Sequence, residues 1–271
     1  AKMCIRDSDY LWDAPGKMLV AVDRTQTGRP DVVEVDLATG ETRRLERGRA
    51  RVVDWLTDAT GTVRLSVAFE RRRKIISVRD DAQAPCRVLL DIDVMAPPLA
   101  FTHDPNVIFV GADHENGRMG IYRYDLQRQA FIERLFLNEK VDVDRFALRD
   151  RAALFADYVL DSDERVFFDP RAAEDQRAID RRRPGRINRI VSYSDDMERF
   201  IVESGLAQGP VSYAIESRDG RLQISLGAQF PGLADSALAA VLPVPFVARD
   251  GLPLDAYVTL PPPLSRLDDA R

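Results

Sequence analysis

The chain is poor in the residues that build covalent or metal-held scaffolds. It has two cysteines, Cys4 and Cys86, and two histidines, His103 and His114, in 271 residues. That supply excludes a disulfide framework and a multi-ligand zinc site. No run approaches the roughly 18 apolar residues that a membrane helix needs, so no membrane span is expected. Lysine is scarce too: Lys2, Lys17, Lys74 and Lys140 stand against 35 arginines, a skew that reads as codon bias in a GC-rich genome. The formal net charge of −5 gives no electrostatic reason to expect a nucleic-acid or anionic-membrane partner.

What remains is the composition of a globular protein with a real core: 45% hydrophobic and 31% charged. Residues Met3-Cys4-Ile5-Arg6-Asp7-Ser8 read as the translation of a transposase adapter used in sequencing libraries. Residues 1–8 are therefore set aside as a scar, Cys4 with them. A natural chain would then begin further upstream, so a missing leader says nothing of compartment, and cytoplasm and periplasm both stay open.

From there the sequence repeats. Val32-Val33-Glu34-Val35-Asp36-Leu37 and Ile121-Tyr122-Arg123-Tyr124-Asp125-Leu126 are alternating strands ending in Asp-Leu, each followed by a polar turn and a strand ending in Arg-Leu. Weaker copies end at Asp80, Asp169 and Asp219, so the markers fall at 36, 80, 125, 169 and 219. Intervals of 44, 45, 44 and 50 match one four-stranded propeller blade. Short β-branched or aromatic runs precede each marker, and turns such as Thr39-Gly40, Asn116-Gly117 and Asp219-Gly220 bound them. The fold class expected is all-β: an incomplete propeller of about five four-stranded blades over residues 9–226. A helix at about 171–183, ended by Pro184-Gly185, fills the longest interval. A connector follows over 227–243. Residues 244–271 then open with a hairpin turning at Asp250-Gly251 and ending at Pro261-Pro262-Pro263.

That hairpin carries a resemblance. The segment Ala248-Arg249-Asp250-Gly251-Leu252-Pro253-Leu254-Asp255-Ala256-Tyr257-Val258-Thr259-Leu260-Pro261, after a propeller, resembles the entry to the α/β-hydrolase domain of the prolyl oligopeptidase family of serine peptidases. Pro184–Ser192 and Asp31–Asp36 resemble blades of bacterial members, and the likeness covers essentially all of the chain after residue 8. It implies a parent that cleaves short peptides with a Ser-Asp-His triad, beneath a propeller of seven or eight blades that restricts access. The family's nucleophile sits in a Gly-x-Ser-x-Gly elbow beyond the hairpin. This sequence has about five blades and no such elbow, so it is expected to be the gating portion of a longer enzyme, inactive by itself. Its implied partners are short peptides and the missing C-terminal hydrolase domain. No catalytic, cofactor-binding or metal residue is assigned to any position, and no cofactor is expected.

Other constellations read as structural. His103 and His114 lie in turns and, as bases, would need a nucleophile within about 3 Å. The acid pairs Asp142/Asp144 and Asp161/Asp163 lack the further ligands of a calcium loop. Arg71–Lys74 and Arg181–Arg183 read as solvated faces paired to acids, and Trp12 and Trp55 as packing between blades. Two other readings fit the period: a stand-alone binding propeller of WD-repeat or TolB-like type, and a five-bladed enzyme such as a glycosidase, whose acids would have to converge on the channel. An arc cut from a larger ring would also expose blade faces, so poor solubility or self-association is expected of it.

Overall fold

The computed structural model describes residues 4–11, 14, 16–23, 29–48, 52–70, 73–89, 98–160, 162–206, 209–233, 238–261, 264 and 266. Two compact units divide the chain, 1–168 and 169–271. The architecture is nearly all-β, with five small antiparallel sheets in a propeller arrangement.

The first unit holds four sheets in sequence order. The first is β1 (Cys4–Tyr10), β2 (Lys17–Asp23), β3 (Asp31–Asp36) and β4 (Thr42–Glu46). The second is β5 (Val52–Thr57), β6 (Val63–Glu70), β7 (Arg73–Val78) and β8 (Arg87–Val88). The third is β9 (Pro98–Phe101), β10 (Val107–Ala112), β11 (Gly120–Asp125) and β12 (Ala130–Phe136). The fourth is β13 (Val143–Arg149), β14 (Ala152–Val159) and β15 (Asp163–Phe167). The second unit holds helix α1 (Pro170–Arg182) and the fifth sheet: β16 (Ile187–Tyr193), β17 (Arg199–Gly205), β18 (Ser212–Ser217) and β19 (Gln223–Ala228). A 3-10 turn at Pro231–Leu233 leads to a hairpin of β20 (Ala240–Val247) and β21 (Pro253–Leu260). Residues 4–8, set aside from the sequence, lie in β1, which pairs with β2.

The repeated Asp has a physical role that explains its period. Asp36 Oδ1 accepts the amides of Ala38 and Thr39, both at 2.9 Å, and so folds the turn from third to fourth strand. Asp125 does the same with Gln127 and Arg128. In the second sheet the acceptor is Asp81, one residue beyond the expected Asp80, bonded to Gln83 and Ala84.

The fourth sheet departs from the expected four strands for a local reason. Asp169 again accepts the amides two and three residues on, Arg171 at 2.7 Å and Ala172 at 3.4 Å. Here Pro170 follows, with its φ preset for a helix and no amide to leave unpaired. The same carboxylate becomes an N-cap, and α1 forms in place of a fourth strand. Arg181 and Arg182 sit in the last turn, where the helix dipole favours cations.

Helix α1 packs on the fifth sheet through Ile179, which meets Ile190, Phe200 and Val202. Gln176 also protects the edge of β16. Its Nε2 donates to the Asn188 carbonyl at 2.8 Å and its Oε1 accepts the Ile190 amide at 3.1 Å, as a neighbouring strand's peptide would. Asp175 grips Arg218 with two bonds of 2.9 and 2.8 Å.

In the first unit the main core lies between sheets. Leu65, Val67, Ile76, Val78 and Leu89 of the second sheet pack with Phe101, Ile108, Val110, Tyr122, Tyr124 and Leu126 of the third. A smaller cluster joins Leu19 and Val32 to Val63, with Trp55 against it. Strand β5 lies beside both β1 and β9, so the first strands of the first three sheets are neighbours, as the inner strands of a propeller are.

Candidate functional site

The turns that follow the first strands of the second, third and fourth sheets are brought together in the first unit. Three meet at one end of the sheets. Arg151, in the turn after β13, donates from Nη1 to the Thr57 carbonyl at 2.9 Å, reaching from the fourth sheet to the second. His103, after β9, places Nε2 3.9 Å from Asp150 Oδ2. Arg64 Nη1 donates to the Pro105 carbonyl, tying the second sheet to the turn of the third.

Each turn is fixed by its own chemistry. Asp58 is buried and accepts the Thr60 amide at 2.9 Å, the Thr60 hydroxyl at 2.7 Å and the Thr62 amide at 3.1 Å. Arg64 stands 3.7 Å from it. Asp104 accepts the Asn106 amide at 2.8 Å. Asp150 and Arg151 form a two-residue hairpin loop with φ of +42° and +57°. Consecutive left-handed residues are what such a loop requires, and Asn-Gly is its usual sequence. Asp-Arg carries strain there, and the Arg151 bond to Thr57 holds the loop in place. The result is a rim of carboxylates and carbonyls, with His103 and Asp150 exposed upon it. As a chemical surface it offers hydrogen bonds and charge to a peptide backbone or a neighbouring domain. It places no nucleophile beside a base among the described residues.

Of the residues singled out from the sequence, only His103 falls on this rim. His114 stacks on Phe131 with centroids 4.0 Å apart and meets Tyr122 edge-on at 5.6 Å. Asp142 accepts the Met119 amide at 2.8 Å. Asp144 lies in β13 and Asp163 in β15. Asp161, Arg71, Arg72 and Trp12 lie outside the described residues, and Arg73 and Lys74 lie on β7. Arg182 and Arg183 pair with the buried Glu216, and Arg181 is exposed. Asp58, Asp104, Asp150 and Arg151 were not singled out. Asp58 and Asp104, with Asp196 after β16, form a second periodic set of turn aspartates that was open to a repeat search. Asp150 falls on the same spacing, since 58, 104, 150 and 196 are each 46 apart, although Asp-Arg by itself is no turn signature.

Hydrogen bonds pull several turn carboxylates below their ordinary range. The Thr39 and Ala38 amides do so for Asp36, the Ser194 hydroxyl and Glu198 amide for Asp196, and the Ser217 hydroxyl and Arg221 amide for Asp219. Each group holds its proton less tightly when folded, so its contribution is full above the ordinary carboxylate pKa. It is lost as pH falls through the lowered value. The urea midpoint is therefore expected to fall on acidification from about pH 5 toward 3. Asp36→Asn should flatten that dependence. An acid limb unchanged by Asp36→Asn together with Asp219→Asn would contradict this.

No family model matches the chain. In sequence it is similar to dipeptidyl aminopeptidase BIII of Pseudoxanthomonas mexicana, 25% identical over 259 residues, covering 91% of this chain and 36% of that protein. In fold it is similar to a puromycin-hydrolyzing peptidase of Mycobacterium tuberculosis, with a TM-score of 0.57 at 14% identity over 94% of this chain and 43% of that one. It is also similar to TolB of Acinetobacter baumannii, with a TM-score of 0.50 at 16% identity over 83% and 55%. The fold and the site thus define a β-propeller. Its likeness is to the propeller portion of prolyl oligopeptidase-family peptidases, as the hairpin motif implied. The chain spans about a third of the length of the curated relative it matches.

Proposed function

We propose that this chain is the substrate-gating propeller of a serine-type peptidase of the prolyl oligopeptidase family, joined at residues 244–271 to the opening hairpin of its α/β-hydrolase domain. The observation that carries the reading is the hairpin. Strands β20 and β21 pair without a slip from Ala240↔Leu260 to Val247↔Pro253. Phe246, Val247, Leu252 and Tyr257 are each about half exposed or more. A two-stranded hairpin is marginal alone, and so much exposed apolar surface in one element calls for a covering layer. The sheet of a hydrolase domain, continuing from this hairpin, supplies that layer. A self-contained scaffold has no need of it.

In this reading the whole enzyme cleaves peptide bonds by acyl transfer to an activated serine in the chain beyond residue 271. The propeller selects short peptides by size, and the rim of Asp58, Thr102–Asn106 and Asp150–Arg151 faces the traffic. The 25% identity to an aminopeptidase over most of the chain supports it. The TolB likeness favours a second reading, a binding module, which shares the sheets and leaves the hairpin unexplained. The 271-residue chain is expected to hydrolyse no short peptide and to take up no fluorophosphonate probe. Hydrolysis accompanied by labelling would sink the gating assignment.

A further inference from the structure

The turn between β10 and β11 holds the pair Asn116-Gly117, to which the gating reading gives no task. The two strands pair from Val107↔Asp125 to Ala112↔Gly120, and residues 113–118 of the turn are exposed. Gly117 has a φ of +73°, and a Cβ built there would meet nothing within 4 Å.

An asparagine carboxamide is an electrophile, and the amide nitrogen of the following residue reaches it by closing a small ring. A side chain on that residue crowds the approach, and glycine has none. The nitrogen must also be free to give up its proton. The Gly117 N–H makes no hydrogen bond among the described residues. Asn116 is held ready for attack. Its Oδ1 accepts the Arg118 amide at 3.0 Å. That donor faces the oxygen on which negative charge develops as Cγ becomes tetrahedral. The leaving nitrogen, Nδ2, lies 3.5 Å from the Asn138 carbonyl, longer than the roughly 3.2 Å limit of a sound bond.

The other places for this chemistry each lack a part of it. Asn106 precedes Val107, which is buried and donates its amide to the Asp104 carbonyl at 3.0 Å. Asn138 precedes Glu139, not glycine. Asn188 is buried in β16, with Nδ2 bonded to Asp180 and to the Arg183 carbonyl. Two Asp-Gly turns have the glycine but not the free amide. Gly220 donates to the Ser217 carbonyl and Gly251 to the Ala248 carbonyl, both at 2.9 Å.

We propose that Asn116 is a site of self-modification, at which the Gly117 nitrogen attacks Asn116 Cγ. The new C–N bond forms, the Cγ–Nδ2 bond breaks, and ammonia leaves with the proton shed by Gly117. Water then opens the cyclic imide at either carbonyl, leaving aspartate or isoaspartate at position 116. Water enters, ammonia departs, and no electrons change hands. Either product sets a new carboxylate beside the exposed Asp113 and Glu115. Isoaspartate also lengthens the hairpin turn by a backbone carbon and presents a free α-carboxyl, the group that isoaspartyl methyltransferases esterify.

Peptide mapping of the 271-residue chain after incubation in mildly alkaline buffer tests this, with isoaspartate read by enzymatic methyl transfer. The mass gain of deamidation is expected in the peptide holding Asn116 before any other, with methyl transfer to the same peptide. Unfolding in urea should speed isoaspartate formation at Asp219 and Asp250 far more than reaction at Asn116, because it frees their glycine amides. Gly117→Ala should slow the reaction about tenfold, and Asn116→Gln, whose carboxamide needs a larger ring, should abolish it. Deamidation of Asn138 ahead of Asn116, equal acceleration of all three sites in urea, or a folded chain unmodified at Asn116 while the unfolded chain reacts there would overturn the proposal.

Discussion

Asp157→Ala is expected to destabilise the first unit by about 3–5 kcal/mol. Asp157 accepts Arg165 through two bonds of 2.6 and 3.0 Å, and both side chains are 9% exposed. The guanidinium also lies 3.5 Å above the Phe155 ring. Removing the carboxylate leaves that cation buried without its bidentate partner, which is the costly way to break such a pair. Replacing both, Asp157→Leu with Arg165→Met, should recover most of the loss, because the charge and its counter-charge leave together. Urea unfolding of the wild type, Asp157→Leu, Arg165→Met and the double variant gives the cycle. A single-variant loss below about 1 kcal/mol, the range of exposed pairs, would show the pair to be solvated.

Phe101→Ala is expected to cost about 3–5 kcal/mol. Phe101 ends β9, is fully buried, and sits in the core shared by the second and third sheets, with the Arg64 guanidinium 5.4 Å from its ring. The consequence reaches beyond one sheet. Since Leu65, Val67, Ile76 and Val78 belong to the same cluster, hydrogen-exchange protection should fall together in β6, β7, β10 and β11. Loss confined to β9–β12 would mean that the sheets are independent modules and that the shared core does not couple them.

Much of the architecture was legible because each sheet repeats one local device. In the first four sheets a carboxylate after the third strand accepts the amides two and three residues on, and in the fifth Asp219 accepts the Arg221 amide and the Ser217 hydroxyl, so the turn writes Asp into the sequence at a near-constant spacing. The device also explains where the reading slipped. Asp80 and Asp81 are adjacent, and geometry selects the second. Asp169 obeys the same rule, yet Pro170 turns the bend into a helix cap, so the fourth sheet has three strands. The candidate rim was less legible. His103 stood out as a rare residue type. Asp150 and Arg151 did not, since what holds their left-handed loop is a bond to Thr57, a partner distant in the sequence.

The central claim is that the hairpin after the fifth sheet opens a catalytic domain. Expressing the chain extended through its own downstream reading frame, and treating it with a fluorophosphonate probe, tests that most directly. The account predicts one labelled serine in a Gly-x-Ser-x-Gly elbow beyond residue 271, with Asp and His following it and hydrolysis of short peptides. A frame that ends without an elbow, or a label that falls within residues 1–271, would contradict it.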